Sequence, residues 1–583
     1  MKKSKFIVGT LVLVVIAGSI ILLYGSGLFG SSQVSPRSAA SQAAKENKAT
    51  QNSKVKVAQS ADQQKSNDNI IDKEVLARTK AIKLAEEFIA DLTNSAADRF
   101  EKAIVLDFDK HKLIKTLRCR DDVFCRRVYI DLIGTLPTAE EAADFIDNRS
   151  PDKRQKLIDA LLQRKEFAWY WSLKWCDHLR IKSEFPIKLW PNAVACYSTW
   201  VTHALEKNMP YDKFARALLT TSGSNFREPP VNFYRAIQQK TPAGISDAVT
   251  LTFMGTSLKN FPKATQKNIQ KFFSRVKYKK TVEWKEEIVI NNPAPVRAKK
   301  LTFPDGSKVQ ANPFDDRRIL FANWLITKEN KWFATAAVNR IWFWIFEKGL
   351  INPPDNCNKK QGAIHARILK FLTTEFVRTG YDSKHIIRLI VNSSLYQQSW
   401  KPIDTAGRAK TFLAAYPVRR LDAEVIIDAI NQITGSTEKY FSIVPEPFTF
   451  IPESHRTIQL QDGTITSEFL NMFGRPSRDT GLLTERNNKP SISQQLFMLN
   501  STTLGTKINR SKKLKAILRD RSLSRNSKIE KLYLTILSRR PTTEELKKVN
   551  EHFKQGRSVG SRKDAFLDIV WALLNTREFL YRH

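Results

Sequence analysis

The sequence predicts a mainly α protein: two helical domains joined by a linker with a small β-hairpin, preceded by one transmembrane helix. Three observations carry this. Apolar residues recur at helical spacing between capping signals over most of the 583-residue chain. One stretch, 281–310, breaks that pattern with short β-prone runs and prolines. An uncharged apolar run at 6–24 follows Lys2, Lys3 and Lys5.

That run comes first. Its 19 residues at the helical rise reach about 28 Å, close to a bilayer core. Residues 1–25 therefore read as an uncleaved anchor, with the membrane as a partner through 6–24. The amino-side lysines predict a single pass in the cytoplasmic or inner membrane, with the body facing the periplasm or exterior. Residues 25–30 match G-x-G-x-x-G, but no strand–turn–helix context surrounds them, so no nucleotide site is assigned. Residues 26–75 are rich in Ser, Ala, Gln, Lys and Asn and read as a tether.

The first helical domain spans 76–280. Thr138 and Glu141 form a capping box behind Pro137. The linker, 281–315, holds β-prone runs around 287–290 and 301–303, and Asp305-Gly306 predicts the hairpin turn. Asp315 and Asp316 sit where a helix beginning near Arg317 welcomes negative charge. The second helical domain, 316–583, carries the stripe Ile368, Leu372, Phe376, a stop at Gly380 and a restart at Asp382 or Ser383. Residues 419–430 and 491–499 read as further helices.

The end of the chain repeats its beginning. Tyr129 opens Y-I-D-L-I-G-T-L-P-T-A-E-E and Tyr533 opens Y-L-T-I-L-S-R-R-P-T-T-E-E, again with a capping pair, Thr542 and Glu545. Each copy continues with Ala-Leu-Leu-x-x-Lys/Arg-Glu-Phe, at 160–167 and 572–579. The copies read as structural brackets at the two edges of the body.

The charge is high: 95 Lys+Arg against 58 Asp+Glu gives +37, a field that favours acidic partners. The basic residues are scattered rather than gathered on one stripe, which argues against nucleic acid. Five cysteines in so long a chain are no disulfide framework. The eight histidines are isolated, without a second ligand at i+4, and read as surface or capping residues. No nucleophile elbow, P-loop, H-E-x-x-H or haem C-x-x-C-H occurs, so neither metal nor cofactor is expected. Trp171 and Trp175, like Trp342 and Phe346, share a helical face and read as core. Asn339 and Arg340, polar in an apolar helix, read as ties between helices.

The densest polar constellation is Arg475, Arg478, Asp479, Glu485 and Arg486, among Gly474, Pro476 and Gly481. Such a loop can grip sulfate or carboxylate bidentately, with Glu485 as the candidate acid or base. The plainer reading is an ion-pair network that pins a long loop.

These residues resemble a known pair of families. Arg126-Arg127-x-Tyr129-x-Asp131-x-x-Gly134-x-Leu136-Pro137-Thr138 and Met209-Pro210-Tyr211-Asp212 resemble domain-of-unknown-function family 1549. Asn323-Trp324-Leu325, Val338-Asn339-Arg340-x-Trp342, Gly380-Tyr381-Asp382, Arg419-Arg420-Leu421-x-Ala423-Glu424 and Phe473-Gly474-Arg475-Pro476 resemble its companion, family 1553. The resemblance spans roughly residues 104–583 and implies an architecture typical of planctomycetes and related marine bacteria, often with a cytochrome-like module, absent here, and with sulfatase-like genes nearby. It also implies two cysteine pairs that this chain lacks, one near 255–266 and one at 482–486.

The leading expectation is a membrane-anchored binding or scaffold component of an envelope system handling anionic, sulfated polysaccharide, beside a sulfatase-like partner protein. A hydrolase of sulfated glycans using the 475–486 loop is the runner-up. Electron transfer, suggested by the cytochrome-bearing relatives, is third.

Overall fold

The computed structural model describes residues 95–583 apart from 359–361, 404–406 and 560–561. The expected anchor and tether lie outside the described residues. Among the described residues no helix is long and apolar enough to cross a membrane. Arg99–His583 form one compact unit, mainly helical, with three small sheets among the described residues.

Local signals place many elements. Thr138 accepts from the Glu141 amide while Glu141 reaches back to the Thr138 amide at 2.8 Å, capping Ala139–Asp147. Thr542 and Glu545 repeat this. Asp316 caps Arg317–Leu325, Asp382 caps Ser383–Asn392 and Ser491 caps Ile492–Asn500. Trp171 and Trp342 are fully enclosed, and the Trp171 indole donates to the Leu132 carbonyl at 3.1 Å.

The linker is more structured than one hairpin. Strand β1 (Gly223–Ser224) and β2 (Val276–Lys280) flank β3 (Glu287–Asn291) in an antiparallel sheet. Strands β4 (Lys299–Thr302) and β5 (Lys308–Ala311) form the expected hairpin, in register Leu301↔Val309. Gly306 takes the positive φ (91°) that its tight turn needs. The hairpin is bolted to its helical neighbours: Phe303 stacks on Trp324 at 5.1 Å and on Phe272 at 4.9 Å, and the Trp324 indole donates to Asp305.

The expected helix over 419–430 begins later, at Ala423, and runs to Thr434. Arg419–Arg420 is instead a strand, β6, paired with β7 (Tyr581–Arg582). Extended backbone here turns Arg419 inward, and the last residues of the chain supply its ladder partner.

The twin copies do not bracket separate edges; they pack on each other. Ala139 and Ala142 of the first meet Leu534 of the second in one apolar cluster. Arg126 crosses between them, donating to the Ile536 and Phe579 carbonyls, each at 2.9 Å. Each copy contains a carboxylate–arginine–carboxylate triad beside its tyrosine. In the first, Arg164 joins Glu141 and Glu166; in the second, Arg539 joins Glu545 and Glu578. The carboxylates occupy matching positions, whereas the arginine comes from a different one. Gly134 ends the first hairpin's opening helix in the left-handed region. A Cβ there would stand 2.6 Å from the Tyr170 ring, so the position requires glycine.

The penultimate residue closes the unit. Arg582 donates to Asp131 at 2.7 Å and to Asp422 at 2.8 Å, with all three side chains buried. Arg582→Met should lower stability by about 3–5 kcal/mol, the cost of stranding buried charges. Denaturant titration measures it, and a loss under about 1 kcal/mol, the surface-pair range, would contradict this role.

Candidate functional site

One helix presents most of the polar floor. Lys165–His178 is largely apolar, but Tyr170, Lys174, Asp177 and His178 fall on one side of it at helical spacing. Opposite lies the start of the Ala423–Thr434 helix, where Asp422 precedes the first turn and Glu424 lies in it, at the end that favours negative charge. Loop 473–488, with Arg419 and Arg582, supplies the cations.

Two linked clusters result. In one, Asp131 accepts from Arg419 at 3.0 Å, Arg582, Tyr396 at 2.9 Å and Tyr416 at 2.7 Å. Arg582 bridges to Asp422, which also accepts from Tyr170 at 2.6 Å and Asn488 at 2.8 Å and lies 3.4 Å from the Lys174 ammonium. In the other, Arg486 grips Glu424 through two bonds, at 2.6 and 3.1 Å, and Asp177 through two more. Arg478 donates to the second oxygen of Asp177 at 2.8 Å.

The sequence-predicted loop residues are all in this region, but they face different ways. Arg475 is enclosed; it donates to the Leu460 and Asp462 carbonyls and lies 3.7 Å from Glu424. Arg478 is fully buried, at positive φ (61°), bonded to Asp177 and to the Ile181 and Gln461 carbonyls. Arg486 is spent on Glu424 and Asp177. Asp479 is half-buried and pairs with Lys182 at 2.8 Å. Glu485 accepts from Ser477, from the Asp479 and Thr480 amides and from the Thr480 hydroxyl. It acts as the clasp of the loop. Arg420 closes the neck, donating to the Phe473, Asn487 and Asn488 carbonyls. The arrangement is the pinned ion-pair network.

Beside it lies a cleft lined by Lys174, Asp177, His178, Trp344, Glu347, Asp422, Leu482, Arg486 and Asn488. Burial pushes the Lys174 ammonium down to about 8, with Asp422 offsetting part of the effect. Its Nζ sits 4.3 Å from the centre of the Tyr170 ring. Burial, then Arg340 and Arg180, hold His178 well below the usual histidine range, so it is a neutral imidazole. Its Nδ1 bonds the Gly481 carbonyl at 2.7 Å. Burial would raise Asp131 and Asp422; their cations hold Asp131 below, and Asp422 well below, the ordinary carboxylate value. Chemically the cleft offers one amine that loses its proton at about 8 rather than in the usual lysine range, among fixed charges.

Sequence reasoning passed over Asp131, Lys174, Asp177, Asp422, Glu424, Arg419 and Arg582 as site residues. A signal existed for some: Lys174 stands between Trp171 and Trp175, and Asp131 interrupts an apolar run. His178 and His365, read as surface or capping residues, are buried, and the His365 ring bonds the Phe412 carbonyl at 2.6 Å. The five cysteines are free thiols. Among the described residues no group of three or more His, Cys, Asp or Glu is placed to hold a metal ion.

Residues 99–282 match the family model PSCyt2, a protein of unknown function (DUF1549), and residues 317–553 match PSD1, a protein of unknown function (DUF1553). The chain is a DUF1549–DUF1553 protein. No curated protein and no solved structure matches it. Among their contacts, the DUF1549 and DUF1553 segments meet at the short stretch Asp355, Asn356 and Cys357. Thr256 bridges Asn356, and the Cys357 amide donates to the Gly255 carbonyl at 2.9 Å. The Leu483 amide donates to Asp355 at 2.9 Å. The two places where this chain lacks the cysteines implied by the family resemblance thus converge on one stretch.

Two pH windows follow. A lysine whose folded value is depressed carries its burial cost below that value and sheds it as pH rises from about 8 towards 10.5. Between those limits wild type should gain about 3 kcal/mol relative to Lys174→Met, by denaturation at each pH. Asp131 and Asp422, with depressed values, stabilise above the unfolded carboxyl value of 3.8. That contribution should be lost as pH falls below it, and near-UV circular dichroism follows the loss.

Proposed function

We propose that this protein is a binding or scaffold component of an envelope system that handles anionic, sulfated polysaccharide, held to the membrane through residues 6–24. One observation carries the reading. The β2–β5 module exposes Lys277, Lys279, Lys280, Lys285, Arg297, Lys299, Lys300 and Lys308, against Glu283 and Asp305 as its exposed carboxylates. Asp305 is already bonded to Trp324. The arginines of the 475–486 loop are turned inward on the protein's own carboxylates and carbonyls, so this reading moves the anion-binding surface to the module. The reading also gives the net charge of +37 a use, as long-range attraction for a polyanion.

The same reading treats the two missing cysteine pairs as parts of one site, present in relatives and replaced here by backbone bonds to Asp355 and Cys357. The purified full-length chain should then hold no stoichiometric iron or zinc by elemental analysis; finding either would sink this account.

The principal test is retention of the full-length chain on an immobilised sulfated polysaccharide. Elution should require salt well above about 0.15 M, where diffuse surface charge is already screened over about 8 Å. Elution at or below that concentration would reject the reading.

A further inference from the structure

Three surface segments converge on a ring cluster made of the half-buried Trp190 and two exposed rings. The first is a loop closed by the Leu189 amide donating to the Lys182 carbonyl at 3.2 Å and the Trp190 amide to the Ser183 carbonyl at 3.4 Å. The second is the tip of the β2–β3 hairpin, with Trp284 and Lys285. The third carries Phe448. Trp190 and Trp284 meet edge to face at 4.7 Å, and Phe448 lies 5.4 Å from each. Trp284 is 58% exposed and Phe448 44%.

Cations lie over these rings. The Lys285 ammonium is 4.8 Å from the centre of Trp190 and 5.4 Å from that of Trp284. On the first loop the Lys188 ammonium is 5.4 Å from the centre of the exposed Phe185 ring. Lys188, Trp190 and Lys285 all adopt positive φ, at 60°, 77° and 64°. Residues with side chains rarely take that conformation, and sites where the fold imposes it gather at ligand-binding positions. Here it sets Lys285 over Trp190, with Lys188 two residues from Trp190 on the same loop.

A contiguous set of exposed aromatics marks an interaction surface. Its composition selects the partner. Protein interfaces are depleted in lysine, whereas this surface has lysines seated on its rings. A single-strand nucleic-acid groove needs a cationic track and rings on which successive bases stack, whereas here the tryptophans stand at 78° to one another. An angled pair of indoles fits the apolar C–H face of one sugar ring, and ammonium groups beside it fit that sugar's sulfate. We propose that the Trp190–Trp284–Phe448 cluster, with Lys188 and Lys285, is the subsite that recognises a sulfated sugar unit. This rests on the polysaccharide reading above and names where recognition occurs.

The test uses the full-length chain, a heparin-derived hexasaccharide and its desulfated form, followed by tryptophan fluorescence and calorimetry. Trp284→Ala should weaken hexasaccharide binding about tenfold, the scale of one aromatic anchor. Trp284→Phe should restore most of that loss. Lys299→Gln with Lys300→Gln, on β4, should reduce the salt dependence and weaken binding less than Trp284→Ala; an effect as large as that of Trp284→Ala would overturn the subsite. The desulfated form should bind more weakly than the sulfated one. If wild type binds and Trp284→Ala binds equally well, the subsite is overturned while the general reading stands. If wild type fails to bind any sulfated polysaccharide above 0.15 M salt, the general reading falls first. Equal affinity for both hexasaccharides, or tighter binding of a single-stranded oligonucleotide, would also overturn the subsite.

Discussion

Arg582 is the constraint on which much else depends. A guanidinium stripped of water costs several kcal/mol unless its partners are close and well aimed. Here those partners are Asp131, from the first repeat, and Asp422, before the Ala423–Thr434 helix. Neither carboxylate is satisfied by Arg582 alone. Asp131 also needs Arg419 and two phenols, and Asp422 needs Tyr170 and Asn488. Each group justifies the burial of the next. Strand β7 therefore has to pair with β6, because that pairing aims Arg582 inward beside Arg419. A chain whose two family segments are separated in sequence becomes one unit through these contacts.

The same physics explains why the repeats keep an interaction but not a residue. In each copy two glutamates at equivalent positions would repel unless a cation stood between them. Arg164 and Arg539 both fill that place, and each guanidinium lies within 6 Å of the matching tyrosine ring, Tyr129 or Tyr533. The two arginines enter from different points of the chain. What the duplication preserves is charge geometry. The copies then diverge where their surroundings differ: Tyr170 in the first corresponds to Arg582 in the second, and both bind Asp422.

Much of the fold was legible because its signals are local. A capping box needs four residues, and a hairpin turn needs a glycine of the right handedness. Thr138, Asp316, Asp382 and Gly306 announce themselves this way. What was not legible depends on distant partners. Arg419 and Arg420 read as the start of a helix because nothing near them reveals a strand 160 residues later, at Tyr581. The candidate loop was found, since arginines and carboxylates crowd it. Its role was not, because whether Arg478 meets a ligand or Asp177 is decided by the helix ending at His178. The aromatic cluster was missed for the same reason. Trp190, Trp284 and Phe448 are far apart in sequence, and only strained loops bring them together.

This division of labour bears on where binding is placed. The interior is rich in arginine, but its guanidinium groups are directed at carboxylates and carbonyls that the protein itself supplies. Opening any of them to an external anion would strand a buried carboxylate, at a cost a surface sulfate contact would not offset. Lysines on the β-strand module carry no such penalty. They stay hydrated, with their ammonium groups in water, so pairing one with an external anion would strand no buried carboxylate. The buried network therefore holds the architecture, and under the proposed polysaccharide reading recognition would fall to the thin β layer and the loops beside it.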